Sequence, residues 1–498
     1  MKDQLETAQH PEGLQRVVIE PLTRVEGHGK VTLLLDDDNH IKQARLHIVE
    51  FRGFEKFIQG RPYWELPVLV QRLCGICPVS HHLAAAKAVD QVYGVDPQDL
   101  HPTATRIRRL LHYAQVFQSH ALHFFYLASP DLLFGMDAPV EKRSVGAVAI
   151  EHGDLARKGI RMRQFGQELI KAIAGKRIHG VCAIPGSVHK TLEPEEVKYF
   201  LDGRGGRPSI DTMIEWSRDV VGFIKAYHDQ HFSWLDSFAS YPSGHLGLVS
   251  DDGALELYDG RMRALDARGE VTLNDVQNEN YLRYFGEGVE KWSYMKFPFL
   301  RNLGQQKGWN RVGPLARLNV CDRISTPLAN EELSNFKAYT NGRPNNHTMH
   351  SHWARLIEIL HCAELIKDLL NDPETLGDAD QPPRNRRPEG IGIIEAPRGT
   401  LIHHYKVDEK GRITKCNLIV STTHNNEAMN QAVRWVAQNV LDEQKEITEG
   451  MLNQVEVAIR AYDPCLSCAT HAMGQMPLHL EVLDAAGNLV REFRKDAG

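Results

Sequence analysis

The chain has 498 residues, with 58 Lys and Arg against 64 Asp and Glu, a formal net charge of −6 and 42% hydrophobic residues. This composition is typical of a globular protein with a sizeable core, and the nearly balanced charge argues against nucleic-acid binding. No run of about eighteen apolar residues predicts a membrane span, and the polar N-terminal segment lacks the apolar core of a signal peptide, so we expect a cytoplasmic protein.

Short strands are predicted first along the chain. Residues 16–50 contain runs such as VTLLL and an Asp-Asp-Asp-Asn turn at 36–39, which predicts a small antiparallel unit. Residues 65–92 combine apolar spacings of three and four with one interrupting proline, Pro78, which predicts two helical pieces around a bend. The same spacing predicts longer helices in four places: about 101–128, 151–175, 209–238 and 347–371.

Two later regions depart from the helical pattern. Residues 242–322 are richer in glycine, asparagine and short strand-like runs, and residues 391–423 predict hairpins with a turn at 408–411. Two helices then lead to a motif that ends at His471, and a terminal hairpin is predicted after it. We therefore expect an α+β, mainly α fold, with a helical body over about 65–371 and small antiparallel β units near the N-terminus and before the C-terminal helices.

The cysteines point to metal chemistry. Eight in 498 residues are too few for a disulfide scaffold, and four of them form two pairs, Cys74 with Cys77 and Cys465 with Cys468. Structural zinc modules usually close their second pair within a few tens of residues, whereas almost the whole chain separates these pairs. On spacing alone a long-range zinc site and a redox metal site remain equally open. The arginine, aspartate and histidine residues beside the pairs favour a functional metal site.

The amino-acid sequences around the two cysteine pairs are distinctive. RLCGICPVSHH and DPCLSCATH resemble the two signature motifs of nickel-iron hydrogenase large subunits, and they are most similar to those of the cytoplasmic, NAD-linked bidirectional enzymes. Five intermediate stretches stand in the order of that family: TRVEGH at 23–28, EFRGFEKF at 50–57, FFYLASPD at 124–131, EAPRG at 395–399 and VSTTHN at 420–425. The resemblance therefore covers most of the chain.

The resemblance implies a reaction and a metal centre. The reaction is the reversible splitting of dihydrogen into protons and electrons. All four cysteines would hold a nickel, with Cys74 and Cys465 as terminal ligands. Cys77 and Cys468 would also bridge to an iron that carries carbon monoxide and cyanide. Such bridging requires deprotonated thiolates, which nearby metal charge stabilises.

The same resemblance assigns roles to charged residues. Glu26 matches a proton-transfer glutamate beside the C-terminal cysteine pair, and a partly buried carboxyl group is suited to that task. Arg398 matches an arginine over the open metal position. Asp131 and Asp463 match acidic residues expected to pair with it, and the alternative for all three is a structural ion-pair network.

Five further positions complete the expected surroundings. Thr422 matches a residue that hydrogen bonds to a cyanide ligand, and His81 matches a histidine near a bridging sulfur. Glu55, His471 and the backbone carbonyl of Leu418 match the ligands of a magnesium, or iron, site. The chain has STTHN where many relatives have PTTWN, which makes the register at Leu418 the least constrained of these matches.

The resemblance also implies processing and partners. Residues 1–471 would form one composite catalytic unit, with C-terminal helices and the metal motif at 425–471. Residues 472–498 match a peptide that a maturation endopeptidase removes after nickel-insertion proteins have acted. The remaining cysteines cannot form an iron-sulfur framework, and no GxGxxG fingerprint is present. We therefore expect two kinds of partner: diaphorase subunits that carry FMN and NAD, and a small hydrogenase subunit that carries the iron-sulfur clusters.

Alternative functions stay within or near this family. A similar hydrogenase with another acceptor, NADP or a deazaflavin, is the first alternative. A non-catalytic subunit like that of respiratory complex I is disfavoured because both cysteine pairs are intact. A hydrogen sensor is disfavoured because the C-terminal peptide is present.

Overall fold

The computed structural model describes residues 13–276, 280–379, 385–472, 478–484 and 486–495. Over these residues helices predominate and the strands form small separate sheets, which confirms the expected α+β, mainly α class. Within these ranges, no helix combines the length and the apolar character that crossing a bilayer requires.

An antiparallel sheet opens the fold. It contains β1 (Gln15–Ile19), β2 (Gly29–Leu35) and β3 (Ile41–Ile48), in that spatial order. The turn before β3 forms because the Asp36 carboxylate accepts a hydrogen bond from the His40 N–H at 2.9 Å. The predicted N-terminal β unit is confirmed.

The first part of the helical body follows. Its helices are α1 (Phe54–Phe57), α2 (Leu66–Leu69), α3 (Pro78–Tyr93), α4 (Pro102–Leu122), α5 (Ser129–Phe134), α6 (Val145–Glu151), α7 (Gly153–Ala174), α8 (Pro194–Asp202) and α9 (Ile210–Ser237), with strands β4 (Ala183–Ile184) and β5 (Ser187–Val188) before α8. The predicted bend at Pro78 is confirmed, since α3 begins at this residue. Proline is favoured at the first position of a helix because its nitrogen carries no N–H that would need a hydrogen-bond partner.

The strand-rich excursion lies between α9 and the later helices. It contains β6 (Gly244–Val249), β7 (Arg261–Leu265), β8 (Val271–Val276), α10 (Tyr281–Tyr284), β9 (Phe285–Gly288), β10 (Phe297–Leu300), α11 (Gly304–Lys307), β11 (Asn310–Arg311) and α12 (Pro314–Val320). A four-stranded sheet has the order β11-β6-β7-β8, in which β11 and β6 are parallel.

Two more helices, α13 (Pro327–Tyr339) and α14 (Ser351–Asn371), complete the helical body. α14 packs against both α4 and α9, and α4 packs against α7. Nearly every residue of α14 is buried up to Ile366, so this helix runs through the centre of the molecule.

A second antiparallel sheet supports the metal motif. Its strands are β12 (Glu389–Ala396), β13 (Gly399–Val407) and β14 (Ile413–Ile419). α3 lies directly on β12, because Gly390 and Gly392 have no side chains to separate the two backbones. This contact holds the start of α3, and with it Cys77, against the sheet.

The last elements carry the second cysteine pair. They are α15 (Ser421–His424), α16 (Asn426–Val436), α17 (Glu449–Arg460), α18 (Leu466–Ala469), β15 (Leu478–Leu483) and β16 (Leu489–Lys495). β15 and β16 pair as an antiparallel hairpin, as predicted. The β segment expected over 391–423 ends earlier, because the β13–β14 ladder stops at Ile419 and the chain turns into α15.

Candidate metal centre

The two cysteine pairs meet in the interior of the protein. Cys74 follows a 3-10 turn (Val70–Leu73), and Cys77 directly precedes α3. The Sγ atoms of Cys74 and Cys465 are 3.3 Å apart and those of Cys77 and Cys468 are 3.8 Å apart, although 391 positions separate each of these pairs along the chain. All four sulfur atoms lie within 4.8 Å of one another. The prediction that the two motifs meet is confirmed.

The thiols are buried and none forms a disulfide. At Cys74 burial opposes ionisation, but hydrogen bonds from the other three thiols, led by Cys465, outweigh it and lower the pKa well below its usual range. Burial raises the pKa of Cys465 and of Cys468 well above the usual range. A cation is therefore required to hold the whole set as thiolates, and four soft sulfur donors suit nickel or iron.

Glu26 lies against the second cysteine pair. A parallel β-bridge joins Glu26 to Cys465, and the Leu466 N–H donates to the Glu26 carbonyl at 2.9 Å. This pairing brings Glu26 Oε2 to 3.0 Å from Cys465 Sγ and to 3.1 Å from the Ser467 nitrogen. The structure thus places Glu26 where a proton can pass between the sulfur and the carboxylate.

Arg398 reaches the cysteines from the turn between β12 and β13. Its Nε donates to the Asp463 carbonyl at 2.5 Å, and its Nη2 donates to Asp463 Oδ1 at 3.0 Å. Arg398 lines a small cavity together with Cys77, Cys465 and Cys468. Its Nη1 is buried and has no hydrogen-bond partner among the described residues, so one donor is left for a ligand.

Burial and the ion pair with Asp463 together determine the charge of Arg398. Burial opposes the charge on Arg398, but the Asp463 carboxylate outweighs it and raises the pKa of the guanidinium well above its usual range. Burial also raises the pKa of the Asp463 carboxyl, although Arg398 opposes that rise. Arg398 is therefore a permanent cation that Asp463 holds in place.

Asp131 does not pair with Arg398, and that part of the prediction is wrong. Its Oδ1 accepts from Arg24 Nη2 at 2.5 Å, and its Oδ2 accepts from Arg460 Nη1 at 2.7 Å and from Arg24 Nη1 at 3.0 Å. Two other arginines therefore occupy both oxygens. Arg24 lies two residues before Glu26 and Arg460 ends α17, so Asp131 joins the elements around the cysteines instead of facing the cavity.

Thr422 lies in α15, and not in a strand as the β pattern predicted. Its Oγ1 accepts a hydrogen bond from the Cys465 N–H at 3.0 Å. The helix begins because Ser421 leaves the sheet and donates its hydroxyl to the Gly399 carbonyl at 2.6 Å. Thr422 therefore fixes the backbone of the second cysteine pair directly.

His81 lies beneath a sulfur atom that is expected to bridge two metals. Its Nε2 is 3.4 Å from Cys468 Sγ, and its Nδ1 is 3.1 Å from His403 Nε2. His403 Nδ1 is in turn 2.6 Å from the Tyr405 hydroxyl. Burial lowers the pKa of His81 to about 4, so the imidazole is neutral near neutral pH. His403 and Tyr405 were not predicted, although their alternation on β13 places them on one face.

Glu55, Leu418 and His471 converge next to the cysteines. The Leu418 N–H donates to Glu55 Oε1 at 2.8 Å, and this oxygen is 3.9 Å from His471 Nε2. His471 Nδ1 donates to the Cys468 carbonyl at 3.0 Å, so Nε2 keeps its lone pair, and Nε2 has no hydrogen-bond partner among the described residues. Burial raises the pKa of Glu55 and lowers that of His471 to about 4. A carboxylate facing an unpartnered imidazole nitrogen fits a small cation.

Three polar residues beside Glu26 were not predicted as part of the site. Ser467 lies between the two cysteines of the second pair, and its Oγ donates to Glu50 Oε2 at 3.0 Å. Glu50 Oε1 is 2.6 Å from Nδ1 of His28. Glu50 and His28 stand in the EFRGFEKF and TRVEGH stretches, so their motifs were visible, but their contact requires the fold.

A separate group of potential metal ligands lies between α9 and α14. His350 Nε2 is 2.7 Å from His228 Nε2 and 3.0 Å from Asp236 Oδ1. Asn345 Oδ1 accepts from the His347 N–H, so its Nδ2 donates to His350 Nδ1 at 2.7 Å. The proton of neutral His350 is therefore on Nε2, where Asp236 and His228 accept it. Hydrogen bonds account for this group.

Comparison with known proteins agrees with the geometry. A profile of the family described as nickel-dependent hydrogenase matches residues 52–142 and 256–471, and a profile described as HoxL-like matches residues 16–51. The beta chain of the NAD-reducing hydrogenase HoxS from Cupriavidus necator is 51% identical over 96% of this chain and 99% of that protein. A chain of the vhc F420-non-reducing hydrogenase from Methanococcus voltae is 41% identical over 94% of this chain and 98% of that protein.

Solved structures show the same fold. A chain of an NAD+-reducing nickel-iron hydrogenase in the H2-reduced state superposes with a TM-score of 0.88 at 52% identity, covering 92% of this chain and 99% of that chain. A nickel-iron-selenium hydrogenase from D. vulgaris Hildenborough has a TM-score of 0.73 at 20% identity, over 92% of this chain and 100% of that chain. The resemblance inferred from the motifs is confirmed: the chain belongs to the nickel-dependent hydrogenase family, as a nickel-iron hydrogenase large subunit.

Proposed function

We propose that this chain is the catalytic large subunit of a hydrogenase that exchanges electrons between dihydrogen and NAD through partner subunits. The observation that carries the proposal is the meeting of four buried thiols from two motifs 391 positions apart. The likeness to a relative named as NAD-reducing supports the acceptor. A structural zinc site would need the sulfur atoms alone, and would give no reason for Glu26 and Arg398 to reach them.

The four cysteines would have different roles as metal ligands. Cys74 and Cys465 would be terminal ligands of nickel, while Cys77 and Cys468 would bridge to an iron that carries carbon monoxide and cyanide. When bound, this centre supplies the metals at which dihydrogen is cleaved and its electrons are taken up. Thr422 Oγ1 accepts from the Cys465 N–H, so its own hydroxyl proton remains available for a cyanide ligand.

The charged residues would handle protons and orientation. Glu26 accepts a proton at Oε2, 3.0 Å from Cys465 Sγ. Asp463 fixes the Arg398 guanidinium by two contacts, which keeps the unpartnered Nη1 for a ligand in the cavity. His81, as a neutral imidazole, contacts Cys468 Sγ through Nε2 and stabilises the position of this sulfur.

A second cation would lie at Glu55, the Leu418 backbone and His471. The unpartnered Nε2 of His471 and the half-buried Glu55 carboxylate support a small hard cation such as magnesium, or iron in its place. Its charge would stabilise the Glu55 carboxylate, whose pKa burial raises. This ion would tie the last residues before the C-terminal peptide to the helical body.

Electrons would leave through partner chains in the cytoplasm. The four cysteines outside the two pairs are isolated, so iron-sulfur clusters belong to a small subunit, while FMN and NAD belong to diaphorase subunits. Residues 1–471 would be the mature catalytic unit. An endopeptidase would remove residues 472–498 after nickel-insertion proteins have loaded the centre, which fits the burial of His471 beside the second cysteine pair.

Infrared spectroscopy with metal analysis tests this function. In the purified complex we expect stretching bands of carbon monoxide and cyanide and one nickel per chain. Cys465→Ala should lose both, because it removes a terminal ligand. Cys362→Ala, at a buried isolated cysteine of α14, should keep both. Full nickel content in Cys465→Ala, or a wild-type complex without the bands, contradicts the proposal.

A further inference from the structure

Glu26 is the first member of a continuous line of polar contacts that leads outward. Ser467 touches both of the next groups, because its N–H donates to Glu26 Oε2 at 3.1 Å and its Oγ donates to Glu50 Oε2 at 3.0 Å. The other oxygen of Glu50 is 2.6 Å from His28 Nδ1. The line therefore runs from the Cys465 sulfur to Glu26, which contacts the backbone N–H of Ser467, and continues from the hydroxyl of the same serine to Glu50 and the His28 imidazole.

The two ends of this line differ in exposure, and Glu26 between them is half-buried. Cys465 is 1% exposed and Ser467 is 9% exposed. The Glu50 side chain is 27% exposed and that of His28 is 72% exposed. The inner end is thus shielded from water while the outer end is in contact with it, as a proton outlet requires.

Gly27 makes this arrangement possible. Its φ is +82°, and a Cβ at this position would lie 2.6 Å from the Ser467 nitrogen and 3.0 Å from Ser467 Oγ. Only glycine permits this conformation and this close approach without strain. The three consecutive residues 26–28 therefore place the inner carboxylate, the contact with Ser467 and the outer imidazole together.

We propose that Ser467, Glu50 and His28 carry protons between Glu26 and solvent. The proposal rests on the proposed function, in which Glu26 receives the proton released from dihydrogen. A rotation of the Glu26 carboxyl moves its contact from the Ser467 N–H to the adjacent Oγ. The hydroxyl then takes the Glu26 proton while giving its own to Glu50 Oε2. Rotation of the Glu50 carboxyl turns this proton towards His28, which carries its single proton on Nε2 and accepts the second at Nδ1.

His28 completes the transfer by releasing its Nε2 proton to water. No bond between heavy atoms changes, and each group regains its starting state by rotation or by the next proton. Hydrogen bonding to Glu50 raises the pKa of His28, so the carboxylate stabilises the imidazolium that this step forms. The alternative is that His28 and Glu50 form an exposed ion pair with only a small structural role.

The test compares proton exit with dihydrogen cleavage in the loaded complex. Exchange of D2 with light water measures exit, and conversion of para-hydrogen measures cleavage. Ser467→Ala and Glu50→Gln should lower solvent exchange at least about tenfold while most para-hydrogen conversion remains, because a relay group contributes factors of this size or larger. Ser467→Thr keeps a hydroxyl and should retain exchange. His28→Gln should lower exchange in weak buffer, and added imidazole should restore it.

A matched control and readouts other than activity separate a relay from a structural role. His40 is an exposed histidine beside Asp442 and Glu443, so His40→Gln should not change exchange. Nickel content, the infrared bands and the midpoint of thermal unfolding should match wild type in every variant. After rapid mixing with D2O, the shift of the Glu26 carboxyl stretch should be slower in Ser467→Ala.

The outcomes distinguish this inference from the proposed function. Wild-type exchange rates in Ser467→Ala and Glu50→Gln overturn the relay while leaving the hydrogenase function intact. A parallel loss of exchange, para-hydrogen conversion and nickel also overturns it, because the residues would then serve assembly. Absence of nickel or of the infrared bands from the wild-type complex would instead refute the proposed function.

Discussion

Asp131 is buried, and each of its carboxylate oxygens accepts a hydrogen bond from an arginine, Arg24 or Arg460. A carboxylate removed from water is stabilised by such contacts; without it Arg24 would lose this ion pair, and buried Arg460 would keep only Glu456, 3.2 Å away. Arg24 precedes the proton-transfer candidate Glu26 and Arg460 ends the helix before the second cysteine pair. This ion cluster therefore holds together the backbone that carries the site.

Replacing Asp131 tests this structural role. Asp131→Asn keeps the shape but removes the charge, and we expect a loss of about 3 kcal/mol or more in the free energy of unfolding. Thermal unfolding of the complex measures it. The matched control is Asp154→Asn, because the Asp154 side chain is 97% exposed and pairs with Arg157. The control should change stability by less than about 0.5 kcal/mol. Equal small effects of the two variants would show that the cluster contributes little.

At the scale of elements, the contact between α3 and β12 positions the first cysteine pair. A Cβ on Gly392 would lie 2.0 Å from the Ala84 carbonyl oxygen, and one on Gly390 would lie 2.0 Å from the Ala88 carbonyl oxygen. These distances are far inside van der Waals contact, so the helix rests on the backbone of the strand. Because Cys77 directly precedes α3, any displacement of the helix moves a metal ligand.

Gly392→Ala is expected to push α3 away from β12. We expect lower stability by about 1–3 kcal/mol and reduced nickel content, because overpacking shifts the backbone that carries Cys77. Gly222→Ala is the control, since Gly222 is exposed within α9 and a Cβ there meets nothing within 4 Å. That control should be neutral or stabilising by up to about 1 kcal/mol, with full nickel content. Normal nickel content in Gly392→Ala would show that the packing tolerates the added methyl group.

At the scale of the whole molecule, buried neutral histidines govern the response to acid. Burial lowers the pKa of His82 to about 4, and that of His112, His245 and His424 to about 3. The unfolded chain binds protons at these groups below pH 6.5, whereas the folded chain binds them only near pH 4 or lower. Stability is therefore full above about pH 6.5 and falls as the pH decreases towards 4.

The slope of this acid destabilisation is the measurable quantity. Each such histidine contributes about 1.4 kcal/mol per pH unit within that window. The midpoint of thermal unfolding, measured between pH 7.5 and 4, should fall progressively below about pH 6.5. His424→Leu should make the decline less steep, because His424 Nε2 has no hydrogen-bond partner among the described residues and its pKa is lowered by burial alone. His40→Gln, an exposed control, should leave the slope unchanged. A flat profile down to pH 5 would contradict this account.

The agreement between pattern and structure differs from element to element. The bend at Pro78 was predictable because proline acts on its immediate neighbours. The helical turn at Thr422 was not, because α15 begins where a strand loses its partner and Ser421 bonds to Gly399, 22 positions away. The four cysteines could be named from their motifs, whereas the pairing of Asp131 with Arg24 and Arg460 could not.

By itself the sequence determined which chemical groups are present: two pairs of thiols, a glutamate in TRVEGH, an arginine in EAPRG and the helical periodicity of the body. These features depend on residues within a few positions of one another, so they are legible along the chain. Only the tertiary structure decided which charges meet, that Ser467 joins Glu26 to Glu50, and that Asp131 turns away from Arg398. Such contacts join residues hundreds of positions apart, and they form because buried charges take the partners that packing brings within reach.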